Sequence, residues 1–250
     1  MAINVNTVYQ TVLMILNKEQ RGYMTPTEFN KVATQVQLEI FEKYFDDLNQ
    51  QLRVPQADTD YADRQESIDE KIAIFKTFGN AIYTVDSPTL SYFKLPTVDS
   101  YNALVELYKL GNVLYKDQTA QRLDRQSFQY VNRSKLTKPT TINPVYLYEN
   151  EKLFLKPTSI IGDVVVDYLK KPNDVLWGFT TGTLGQYTYD PRDFAIGTPN
   201  IGSIQFELHS SEQTEVILKI LLYSGIIIQD PQIVQTAAAL VQQEDANKKS

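Results

Sequence analysis

Cysteine is absent from this 250-residue chain, and histidine occurs once, at His209. The first absence removes disulfides, thiolate nucleophiles, thiolate zinc sites and iron–sulfur clusters. The second removes histidine-rich metal cages and leaves a single imidazole for general-base work. Positive charge is also in deficit: 24 Lys and Arg against 30 Asp and Glu give a net charge of −6. That balance argues against a protein that grips nucleic acid by counterion release. Long apolar runs are lacking, since the greasiest stretch, Val216 to Ile228, is interrupted by Lys219 and is too short to span a bilayer. The opening Met1-Ala-Ile-Asn-Val-Asn6 has no basic region leading into an apolar one, so no secretory signal is expected. The expectation is an intracellular protein of a reducing compartment, without a membrane and without a cofactor.

Aromatic residues are in surplus: 16 Tyr and 11 Phe beside a single Trp. They suit a β-containing core, and equally a large protein–protein contact. The spacing of Val8, Val12, Leu13 and Leu16 predicts a first helix ending near Gly22. Thr25-Pro26-Thr27-Glu28 is a helix start in which Thr25 caps, Pro26 takes the first helical position and Glu28 closes a capping box. The helix it opens carries Phe29, Val32, Val36, Ile40, Tyr44 and Leu48 on one face and runs to about Leu52. Residues 55–67, polar and acidic, read as a loop or linker.

Short β-like runs follow at 81–85, 90–95, 103–110 and 113–115, with a short helix at 121–132. A hairpin is expected from Val145-Tyr-Leu-Tyr148 through Glu149-Asn150-Glu151 to Lys152–Lys156, and another strand at 164–169. Residues 177–202 read as a long excursion. Helix returns with Val216, Ile217, Ile220 and Leu221, and again after Asp230-Pro231 through Ala237–Leu240. The predicted class is α+β: a helical bundle from both termini with an inserted small antiparallel β domain. The domain bounds are 1–80 for the N-terminal helices and acidic linker, 81–208 for the β-rich insertion, and 209–250 for the C-terminal helices and tail.

Charge is uneven along the chain. Residues 39–70 hold ten acids against Lys43, Arg53 and Arg64, whereas residues 109–138 hold seven Lys and Arg against Asp117 and Asp124. These are two solvated surfaces, or two complementary faces that meet on neighbouring copies. For the second case the candidate contact residues are Arg122, Arg125 and Arg133 against Asp46 and Asp47. Trp177, Phe179, Tyr187 and Tyr189 in the long excursion are candidate docking aromatics, with a local core under the loop as the alternative.

Patterns that resemble chemistry fail on inspection. His209 has serine neighbours, but there is no Gly-x-Ser-x-Gly elbow, and its place before a helix suggests capping. Gly197 to Ser203 has phosphate-loop glycine spacing with Ser203 where the lysine is needed. Asp58-Thr-Asp60-Tyr-Ala-Asp63 departs from a calcium loop at Ala62 and Asp63. No catalytic, cofactor or metal residue is assigned.

Several segments resemble the ring-forming head-to-tail connector proteins of short-tailed bacteriophages, especially those of crAss-like phages of Bacteroidetes. They are Val8 to Asn30, including Arg21-Gly22-Tyr23-Met24-Thr25-Pro26-Thr27-Glu28-Phe29, and its continuation Ala33 to Phe45. Lys138-Pro-Thr140 with Asn143-Pro-Val-Tyr146 is a second, and Leu155-Lys-Pro157 with Val166 to Pro172 and Trp177 a third. Ile228-Gln-Asp-Pro-Gln232 is the last. The resemblance implies a non-enzymatic virion adaptor, assembled in the host cytoplasm, whose subunits form a dodecameric homo-oligomeric ring. Such a ring binds the portal protein on one side and a tail or second ring protein on the other, and DNA passes through it without specific binding. The alternatives are another virion component (tail-tube, head-fibre or cargo protein) and a carboxylate-based glycan hydrolase.

Overall fold

The computed structural model describes residues 2–18, 23–51, 60–87, 90–97, 105–192, 202–228 and 235–243. The fold is mixed α+β, and the chain divides into two units: Met1–Ile74 with Pro172–Ser250, and Phe75–Lys171.

In the first unit, α1 (Val5–Lys18) is capped by Asn4, whose Oδ1 accepts from the Thr7 amide at 3.0 Å. Its Val5, Val8, Val12 and Leu16 are all fully buried. α2 (Pro26–Gln51) opens on the expected capping box. The Thr25 amide donates to Glu28 Oε2 at 2.9 Å, and the Glu28 amide donates to Thr25 Oγ1 at 3.3 Å. Hydrogen bonds from Thr25 hold the Glu28 carboxyl below its ordinary range. α2 packs against α3 (Asp60–Ala73) and against α5 (Gln213–Ile228), and α1 also packs against α5. Phe29, Val36, Ile40, Phe41, Val216 and Ile220 form the dry seams.

α3 corrects the loop expected at 55–67, of which residues 55–59 lie outside the described ones. Acidic residues in the first turn favour the positive end of a helix dipole. Four-residue spacing of Ile68 and Ile72 then supplies an inward stripe, and Lys71 Nζ reaches Glu212 Oε1 at 2.6 Å. Residues 235–243 are helical, as expected for 237–240, while the Asp230-Pro231 cap lies outside the described residues.

The α2–α5 seam buries charge as well as carbon. Lys219, 7% exposed, places Nζ 2.6 Å from Glu39 Oε1 and 3.8 Å from Glu215 Oε1. Glu215, 2% exposed, also accepts from Lys43 at 3.0 Å. The phenol of Tyr44 is buried beside these carboxylates without a hydrogen-bond partner among the described residues. Burial, followed by the charges of Glu212 and Glu215, pushes its pKa far above the ordinary tyrosine value.

α2 also presents a polar stripe to an extended segment. Asn30 Oδ1 accepts from the Trp177 amide at 2.8 Å, and Thr34 Oγ1 accepts from the Val175 amide at 3.1 Å. Gln37, fully buried, donates to the Asn173 carbonyl at 2.7 Å and accepts from the Glu207 amide at 2.9 Å. Isolated bridges pair Ile3 with Phe206 and Leu176 with Ile204. Residues after Pro172 therefore belong with the helices, so the β-rich unit is Phe75–Lys171 where the sequence suggested 81–208.

The second unit holds two sheets. The first has the order β1 (Lys76–Asn80), β9 (Val164–Lys170), β4 (Leu107–Tyr115), β5 (Gln118–Thr119), all antiparallel. The second runs β2 (Ile82–Ser87), β3 (Leu90–Lys94), β8 (Lys152–Lys156), β7 (Val145–Glu149), β6 (Gln121–Arg122), with only β6–β7 parallel. The β7–β8 turn puts Asn150 and Glu151 at φ 51° and 58°, the positive pair that a two-residue hairpin requires. Alternation then splits this hairpin. Tyr146, Leu153 and Leu155 join Phe93, Val113, Val164 and Val166 in the shared core of both sheets. Val145, Leu147 and Phe154 turn the other way and meet Phe128 of α4 (Arg125–Arg133). Asp124 caps α4 by accepting from the Ser127 amide at 3.3 Å.

Candidate functional site

The back of the second sheet, α4 and the loops after β8 and α4 enclose an open cleft of about 830 Å³ in the second unit. Its floor is apolar, formed by Phe128, Leu147 and Phe154, and its rim carries Arg125, Arg133, Lys138 and Lys156 against one carboxylate, Glu149. Arg125, Gln129 and Arg133 follow at four-residue intervals and so share one stripe of α4. Arg125 already holds Glu149: its Nε lies 3.0 and 3.1 Å from the two carboxylate oxygens, and its Nη2 closes a fork. The pairing raises the Arg125 pKa and lowers that of Glu149. With that pair internally balanced, Arg133, Lys138 and Lys156 supply the positive field of the cleft.

The sequence-selected arginines therefore separate. Arg125 and Arg133 line the cleft, with Arg125 engaged inside the unit. Arg122 lies on β6 with its guanidinium 5.8 Å from the centroid of the Tyr148 ring and does not line the cleft. Lys156, Phe128 and Phe154 escaped sequence reasoning, because the cleft depends on which face of the hairpin turns toward α4. The detectable signal was the eight-residue interval between Arg125 and Arg133. On the first unit Asp46 is exposed and Asp47 half-buried, both late in α2.

The aromatic candidates converge on α1. Trp177 is 4% exposed, which corrects its reading as an exposed docking anchor: the local-core alternative describes it. Its ring lies 4.4 Å from that of Tyr9, and its Nε1 donates to Asn6 Oδ1 at 3.1 Å. Phe179 and Tyr189 stack on it at 5.9 and 5.7 Å from the two strands of a small hairpin, β10 (Phe179–Thr181) and β11 (Tyr187–Tyr189). Both are half-buried, whereas Tyr187 is exposed and meets Phe179 edge-on at 5.0 Å. Burial, then a hydrogen bond with Tyr23, drives the Tyr9 phenol pKa well above its ordinary value.

Gly178 lets the hairpin close, because a Cβ there would lie 2.0 Å from the Gly202 carbonyl oxygen. Asp190 completes the base by taking Arg192 Nε at 2.8 Å and Nη2 at 2.5 Å. These bonds lower its carboxyl pKa to about 2.

His209 caps the 3₁₀ turn Ser210–Glu212, with Nδ1 accepting from the Ser211 amide at 3.3 Å. Asp60–Asp63 is helical and does not wrap as a cation loop, and Asp58 and Gly197–Ile201 lie outside the described residues. Among the described residues no helix is long and apolar enough to cross a membrane. No protein-family model matches the chain. No curated protein matches it either.

Proposed function

We propose that the chain is a structural virion protein, a subunit of a homo-oligomeric ring that joins a phage portal to the tail and surrounds the DNA channel. In this reading α1, α2 and α5 form a bundle from both termini that carries Phe75–Lys171 as an inserted antiparallel β domain. The observation that supports it best is the division of charge between the two units. Phe75–Lys171 carries thirteen Lys and Arg against nine Asp and Glu, a net of +4, and the rest of the chain carries eleven against twenty-one, a net of −10. A ring subunit presents different faces to its two neighbours, and opposite charge on separate units equips it for such heterologous contacts. The acidic majority repels a passing polyanion. The resemblance of Val8–Phe45, Lys138–Tyr146 and Leu155–Trp177 to connector proteins points the same way.

Mass measurement on the purified protein, alone and mixed with portal, tests the reading. A large homo-oligomer that joins the portal is the expected result. A protein that remains monomeric and is missing from particles would overturn it.

A further inference from the structure

The basic cleft and α3 match in charge, apolar content and length. The face of α3 toward its own unit is fixed by Ile72, 3% exposed, and by the Lys71–Glu212 pair at 2.6 Å. Its other side exposes Glu66, Asp69 and Glu70, followed by Ile74 at 39% exposure. Positions 66 and 70 fall one four-residue step apart, so their carboxylates share a stripe of α3 with Asp69 beside it, and Ile74 follows one residue past the helix end. From Glu66 to Ala73 the helix rises about 10.5 Å. The cleft runs beside α4 from Arg125 to Arg133, nine residues of helix, with cations at its rim and Phe128, Leu147 and Phe154 on its floor. An acidic helix with an apolar residue at one end is the ligand such a lining recognises: carboxylates at the rim, the aliphatic side chain over the phenylalanines.

We infer that the cleft of one copy receives the Glu66–Ile74 stripe of a second copy, and that this is the heterologous contact from which the oligomer is built. The contact rests on the ring reading and gives it an address. Arg133, Lys138 and Lys156 face Glu66 and Glu70 of the neighbour, while Arg125 stays with its own Glu149 and stiffens the wall. Because every copy carries both halves, each contact leaves one free cleft and one free stripe until the chain of copies closes.

Sedimentation velocity on the full chain tests the contact with three variants: Arg133→Glu/Lys138→Glu, Glu66→Lys/Glu70→Lys, and all four substitutions together. Each double reversal should weaken self-association by about tenfold or more, and the fourfold swap should restore it, because opposite charges again face each other. Restoration also shows that the reversals left the fold intact. In the wild type, association should weaken as salt rises from about 0.1 M to about 1 M, over which the screening length falls from about 10 Å to about 3 Å.

Self-association unchanged by either reversal, or lost in both without rescue by the swap, overturns the contact. So does a wild type that stays monomeric at low salt. Duplex DNA retained by the wild type and released by Arg133→Glu/Lys138→Glu, with self-association intact, would give the cleft to nucleic acid instead. Portal binding lost with self-association intact would give it to a different protein. Failure of the ring reading is seen separately, as absence of the protein from particles.

Discussion

Replacing Lys219 with methionine removes the cation that joins two carboxylates in the α2–α5 seam. Its ammonium lies 2.6 Å from Glu39 and 3.8 Å from Glu215, with only 7% of the side chain exposed. Taking one partner from a buried ion pair costs about 3–5 kcal/mol, since the other charge is left desolvated. Here the loss falls at or below the bottom of that range. Glu39 is 42% exposed and can turn to water, and Glu215 keeps Lys43 at 3.0 Å. The expected destabilisation is about 2–3 kcal/mol.

Glu215→Leu alone should cost about 1–2 kcal/mol, because Lys219 retains Glu39 and Lys43 is partly solvated. The pair Lys219→Met/Glu215→Leu replaces a buried charge pair by carbon of similar volume and should return to within about 1 kcal/mol of the wild type. Urea unfolding followed by the emission of Trp177 reads all four proteins, since the only tryptophan is buried in the same unit. Strict additivity of the two single losses would refute the reasoning, as would a Lys219→Met loss below about 0.5 kcal/mol.

Gln37→Leu removes the side chain that joins the Asn173 carbonyl and the Glu207 amide at a part-buried site, and should cost about 1–3 kcal/mol by the same urea assay. Gly178→Ala drives a methyl into the Gly202 carbonyl. It should destabilise the hairpin base by about 3 kcal/mol and expose Trp177 to an added quencher. Asp190, lowered from 3.8 to about 2 by its hydrogen bonds with Arg192, stabilises the folded state at and above the ordinary carboxylate range, and that contribution fades as pH falls through about 2. The stability gap between wild type and Asp190→Asn should therefore narrow on acidification from pH ~4 to pH ~2, and a gap constant over that window would contradict the assignment.

Local signals with a steric or hydrogen-bonding cause were legible in the sequence. The Thr25–Glu28 capping box, the β7–β8 hairpin around Asn150-Glu151 and the apolar stripe of α2 occur where the residues place them. Two elements went unread because a longer-range partner decided them. Leu110-Gly111-Asn112-Val113 has the composition of a turn, yet β4 runs through it, accommodated by a register shift against β9. The acidic stretch before Ser67 has the composition of a linker, and part of it is helix because Ile68, Lys71 and Ile72 find partners in tertiary contact. The basic cleft was half legible: Arg125 and Arg133 announce a helix stripe, but the pairing of Arg125 with Glu149 follows from the hairpin register.

The polar stripe of α2 is self-limiting. A helix climbs about 6 Å between Asn30 and Thr34 and about 4.5 Å between Thr34 and Gln37. A fully extended backbone would advance about 6.7 Å for each pair of residues, as from Trp177 to Val175 to Asn173. The two scales slide apart like a vernier, by about 3 Å over three rungs. The rung that must span the accumulated gap is occupied by glutamine, the longest of the three side chains. Asparagine at position 37 would keep the chemistry and shorten the reach by one methylene. The strand is thus measured by the helix: a single residue inserted between Asn173 and Trp177 would turn the indole outward and leave Asn30 facing the wrong amide.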